Sequence, residues 1–150
     1  MVFSIGVIHH LENPELAVRN MAKACKPGGR VLIWLYGEEN NGWIVHLFNP
    51  VRRHLFSRLP IRLNNGLAWG LTGILWSMLK FGFGKQPYYD FLRRIPFQHL
   101  KHIVLDHMLP KIALYYRRDQ AAALLAQAGL QEIHSEWVNQ ISWSVCGKKI

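Results

Sequence analysis

The chain has 150 residues, half of them hydrophobic and 18% charged, with 18 Lys and Arg against nine Asp and Glu and a formal net charge of +9. That length and apolar content exclude a disordered tail and fit one ordinary domain with a real core. Two cysteines, Cys25 and Cys146, exclude a disulfide framework and a cysteine-based metal site; with no secretory leader pattern at the N-terminus, they predict a reducing, cytoplasmic setting.

Residues 2–8 are an apolar run broken only by Ser4 and Gly6, too short for a helix and β-branched enough to predict a strand. Asn13 as N-cap and Pro14 in the first turn predict a helix running to Lys26. Its expected apolar face is Ala17, Met21, Ala24 and Cys25, with Arg19, Lys23 and Lys26 in water. Pro27 stops the helix, and Gly28 and Gly29 turn the chain back. Residues 31–35, Val-Leu-Ile-Trp-Leu, then predict an internal strand covered on both faces and parallel to the first. Strand, helix and strand make one right-handed crossover.

Residues 36–43 form a polar loop at the C-terminal end of that parallel strand, where ligand crevices of open α/β sheets lie. Short helices are expected up to Asn49-Pro50 and over residues 51–59, followed by a helix over 64–80 that is apolar nearly all round. The last is too short to cross a bilayer, which leaves a buried or dimer-forming helix, or one lying at an anionic membrane surface. Gly82-Phe83-Gly84 predicts a turn, since no strand and helix-opening glycine accompany it. Residues 97–109 predict a helix between two prolines, with His99, His102 and Asp106 on one face. These are not a metal site by their spacing; they are solvated side chains or a His102–Asp106 hydrogen-bonded pair. Between residues 44 and 118, twelve basic residues face only Asp90 and Asp106, so the whole charge excess belongs to the middle of the chain. After it, residues 120–128 predict a helix with Asp119 in its first turn, Ala122, Leu125 and Ala126 at helical spacing and Gly129 as C-cap. Strands over 130–138 and 142–147 follow, joined by an Asn139-Gln140 turn.

The run from Phe3 through Ser4-Ile5-Gly6-Val7-Ile8-His9-His10 to Leu11, then Pro14, then Ala24-Cys25-Lys26-Pro27-Gly28-Gly29-Arg30-Val31-Leu32-Ile33, resembles the fourth strand, its helix and the fifth strand of class I S-adenosylmethionine-dependent methyltransferases of the type 11 kind. The resemblance implies an α/β fold: the C-terminal part of a Rossmann-like methyltransferase sheet, four strands in the order first, second, fourth, third, the last two antiparallel, with a large helical insertion. Residues 1–36 are then a partial core, 37–118 an acceptor-binding cap and 119–150 the end of the sheet. The glycine-rich turn and acidic ribose ligand of the family are missing from this chain, so poor cofactor binding or none, no activity of these 150 residues alone and an open edge at the first strand are expected.

By the same resemblance, S-adenosylmethionine is the cofactor and Ser4, Ile5, Gly6, Val7 and His9 line its pocket. His9, His10, His102 and Asp106 are candidates for a base, and Tyr36, Asn40, Trp43, His46 and His107 for contact with the acceptor. A basic, aromatic cap suits an acidic or phosphate-bearing, partly apolar acceptor: a small molecule or a lipid. Nucleic acid is disfavoured, because the aromatics fall on helical core positions and no recognition motif accompanies them. The alternative is a non-catalytic methyltransferase-like remnant, or a module that binds a partner or a membrane periphery.

Overall fold

In the computed structural model, which describes residues 1–150, the regular elements are β1 (Val2–Ile5), α1 (Pro14–Ala24), β2 (Arg30–Tyr36), α2 (Asn49–His54), α3 (Ile61–Lys80), α4 (Pro87–Arg94), α5 (Phe97–Met108), α6 (Arg118–Gln127), β3 (Gln131–Val138) and β4 (Ser142–Lys148). They fall into two compact units: a sheet unit of Met1–Gly42 and Ile112–Ile150, and a helical unit of Trp43–Lys111.

The sheet unit has four strands in the order β1-β2-β4-β3. β1 and β2 are parallel, with Ser4 opposite Ile33; β4 runs antiparallel to both β2 and β3. That order and the antiparallel pair at the end are as the sequence implied. β1 is shorter than expected. Gly6 takes φ +74°, a conformation that a Cβ makes costly, so the strand stops at Ile5 and the chain makes a 3-10 turn over Ile8–His10.

β2 lies inside the sheet, but only one of its faces is sealed. Val31, Ile33 and Leu35 are wholly buried, while Leu32, Trp34 and Tyr36 are half-buried. On the open face Phe3 and Ile5, paired with Leu32 and Trp34, are 65% and 62% exposed. The expectation of two covered faces is therefore corrected: an unbroken apolar run shows that a strand is internal, not what lies above and below it.

α1 and α6 supply the sealed side. α1 contributes Val18, Ala22 and Cys25 to the core, with Ala17 and Met21 at its margin and Ala24 exposed, so the true stripe is turned from the expected one. From α6 come Ala121, Leu124 and Leu125. Asn13 caps α1 as expected, its Oδ1 accepting from the Leu16 N–H at 2.9 Å. At the other end the ammonium of Lys149 donates to the carbonyls of Ala22 and Cys25 at 2.9 and 2.8 Å.

The helical unit begins with a π turn at Ile44–Phe48 running into α2. Pro50 has no N–H to offer to the preceding turn, and the Asn49 N–H bonds to the Ile44 carbonyl one residue further back than in an α-helix. Two small cores follow, one around Leu79, Tyr89, Leu92 and Leu100, the other around Phe56, Ala68 and Met108. Arg93 on α4 ties the first together. Its guanidinium donates to the carbonyls of Leu79, Phe83 and Gly84 at 3.1, 2.8 and 2.7 Å and pairs with Asp90 at 2.5 Å. No helix of the protein is long and apolar enough to cross a membrane.

Candidate functional site at the strand ends

Parallel strands β1 and β2 end side by side, and the polar groups of the sheet unit collect there. Gly6 frees the chain to leave the sheet, which carries His9 and His10 back towards Tyr36, the last residue of β2. The His9 ring lies 3.9 Å from that of Tyr36, 4.3 Å from that of His10 and, edge-on, 5.9 Å from Trp34. Tyr115 stacks on the other partner, its ring 5.4 Å from Tyr36. The result is a nest of five rings at the C-terminal end of the parallel strands, the end at which open α/β sheets bind ligands.

His9 is fully buried and braces this nest; its backbone carbonyl accepts from the Leu114 N–H at 2.9 Å. His10 is half-buried, and its Nδ1 sits 2.7 Å from the Ile112 carbonyl. A carbonyl can only accept, so Nδ1 carries a proton, and of the two neutral tautomers the bond selects the one with Nε2 as acceptor. Of the two, His10 has the form of a base. Ser4 and Gly6 are half-buried, and Ile5 and Val7 are exposed.

The loop after β2 is held at close quarters. Gly37 lies against Trp137: a Cβ there would meet the indole at 2.6 Å and the Ile141 carbonyl at 2.9 Å. Asn41 donates to the carbonyls of Gly37 and Ile141, both at 2.8 Å, and Asn40 donates to that of Gln140 at 2.9 Å. Glu39 accepts from the Arg118 N–H at 3.1 Å and from the Trp143 indole at 3.0 Å, so a carboxylate sits at the start of α6, where the helix dipole favours it. Tyr116 joins Gly37 in a parallel bridge. Its phenol is pushed up to about 12, first by burial and then by the charge of Glu15, and so stays protonated.

The remaining candidates belong to the helical unit. Trp43 donates through its indole to the Tyr89 hydroxyl at 3.1 Å, His46 is exposed on the π turn, and the His107 Nδ1 is turned onto the Ile103 carbonyl at 2.9 Å within α5. His102 and Asp106 are both exposed, and the hydrogen bond considered between them does not form. Solvated side chains gain little from such a pair, since water offers each the same partner. No three His, Cys, Asp or Glu residues come together as metal ligands. Sequence reasoning missed Trp34, Glu39 and Tyr115. The doublet Tyr115-Tyr116 ahead of α6 was the available sign, but it lay in a stretch assigned to the insertion.

No curated protein matches this sequence. Residues 1–33 match the family model described as a methyltransferase domain, which covers β1, the Gly6 and His9–His10 turns, α1 and the start of β2. The likeness to a methyltransferase domain thus falls on the opening strand, its turn and the first helix.

Proposed function

We propose that the protein is an S-adenosylmethionine-dependent methyltransferase acting on a small-molecule or lipid-like acceptor. What carries this reading is where the family match falls: it covers the strand and turn that bring His9 and His10 to the aromatic nest.

The residues present fit one side of such a cofactor. Ile5 and Val7 offer exposed apolar surface for a flat base, and the half-buried Trp34 ring, held edge-on to Tyr36, is the aromatic group nearest them for a cation such as a sulfonium. Between Ser4 and His10 there is no carboxylate for the ribose hydroxyls. When bound, the cofactor supplies a methyl group already activated by its positive sulfur. The chain's own part is then to position and to exclude water, with His10 Nε2 available to take the acceptor's proton. The helical unit, with ten Lys and Arg against Asp90 and Asp106, is assigned to recognition of an acidic or phosphate-bearing acceptor.

Calorimetric titration of the chain with S-adenosylmethionine and with S-adenosylhomocysteine tests the proposal. Saturable binding that is lost in Tyr36→Ala and retained in His10→Gln supports it, because the first removes a wall and the second only a proton acceptor. Folded chain that binds neither compound sinks it and favours the non-catalytic remnant.

A further inference from the structure

α3 buries polar side chains and exposes apolar ones. The side turned into the helical unit buries Asn64, Ala68, Thr72 and Leu79, and two of these four are polar. Asn64 meets its need by donating to the Phe56 carbonyl at 2.8 Å, and Thr72 by donating to the Ala68 carbonyl one turn back. The outward side carries Leu63, Leu67, Ile74 and Met78, with Phe81 just past the helix end; Ile74 is 61% exposed and Phe81 92%. At 100° per residue these five fall within a sector of about 60°, a continuous apolar ridge. A soluble helix normally has the opposite arrangement, and a ridge of this kind marks a surface that meets something apolar.

Its surroundings say what. Arg62 and Lys80 stand at the two ends of α3, 18 residues and therefore five turns apart, on one side of the helix about 100° round from the near edge of the ridge. Lys80 lies with its ammonium 4.3 Å above the Trp76 ring. Trp69 stacks on Phe97 and Trp76 packs against the same ring, both on the side of α3 away from the ridge. Between ridge and cations runs a shallow furrow lined by Gly70, Gly73 and Ser77, where an added Cβ on either glycine would meet nothing within 4 Å. The helical unit as a whole has a net charge of +8, ten basic residues against two acidic ones. A second copy placed on the ridge would bring one +8 unit against another, whereas an anionic surface is attracted by the same charge that repels a copy.

We propose that α3 lies flat on an anionic lipid bilayer, its ridge sunk about 5–10 Å into the headgroup boundary and Arg62 and Lys80 reaching the phosphates. The helix does not cross, which agrees with its polar inner stripe and with the absence of any span of sufficient apolarity. This inference is independent of methyl transfer: it needs only the ridge and the charge.

Flotation of the full chain with vesicles tests it. With vesicles of phosphatidylcholine and phosphatidylglycerol the protein should float, and with phosphatidylcholine alone it should bind about tenfold or more weakly. Ile74→Glu should abolish flotation without loss of helix content, since the residue is exposed, and Arg62→Glu with Lys80→Glu should weaken it by about tenfold or more. Equal binding to both vesicle types, no binding to either, or flotation indifferent to Ile74→Glu overturns the proposal. So does a dimer in sedimentation, free of lipid, that Ile74→Glu dissociates, because a second copy would then cover the ridge.

Discussion

The two units of this protein place apolar side chains in opposite ways. In the sheet unit one face of the sheet is sealed by two helices around a single core, with Val31, Ile33, Leu35 and Val145 shut off from water altogether. In the helical unit the buried residues divide between two small clusters, and the most regular apolar stripe faces out. A comparable share of apolar residues thus serves cohesion in one unit and an exposed surface in the other. Burial, not composition, tells the two uses apart.

Matched substitutions put that contrast to the test. Ile33→Ala in the sealed core should lower unfolding stability by about 2–5 kcal/mol, whereas Ile74→Ala on the α3 ridge should change it by no more than about 0.5 kcal/mol in urea melts. Equal costs would mean that the ridge is a core after all.

An alkaline effect should come next in size. The Tyr116 phenol is raised from its ordinary 10.0 to about 12 in the folded chain, so its contribution is complete below pH 10 and is lost as pH climbs towards 12. Two units correspond to roughly 2–3 kcal/mol, and Tyr116→Phe should flatten the stability profile over that window. Lys149→Met removes the cation from the last carbonyls of α1 and should cost about 1–2 kcal/mol, less at high salt because the group is only half-buried. The smallest effect is a gain. Gly66→Ala on the open side of α3, where the new methyl meets nothing within 4 Å, should add about 1 kcal/mol of helix stability in thermal melts.

Much of the sheet unit was legible in the sequence, because strands, caps and the Lys26-Pro27-Gly28-Gly29 turn act through neighbours in the chain. The strand order came from the family likeness. What escaped depended on tertiary partners. Ala17 and Val18 are both apolar, and only the seating of α1 on the sheet decides which of them goes in. α4 was overlooked although Pro87 opens it and Asp90 pairs with Arg93 inside it. For α3 the helix itself was plain, but an all-round apolar sequence hides that Asn64 and Thr72 face inward. At the site, His9 and His10 drew notice through their position at a strand end. That one would brace and the other keep a free nitrogen rests on Ile112, which is 102 residues from His10 in the chain.

The Glu39 carboxylate closes two long loops, holding the Arg118 N–H 79 positions away and the Trp143 indole 104 positions away. Bringing such distant points together in an unfolded chain carries an entropic penalty that grows with the intervening length. If residues 43–111 collapse into their own helices first, the effective loop shortens and the penalty falls. On that order the local helices in the middle of the chain form early and the junction at Glu39 closes late, after the main folding barrier. Glu39→Gln, which keeps the shape and removes the charge, should accordingly speed unfolding more than it slows refolding.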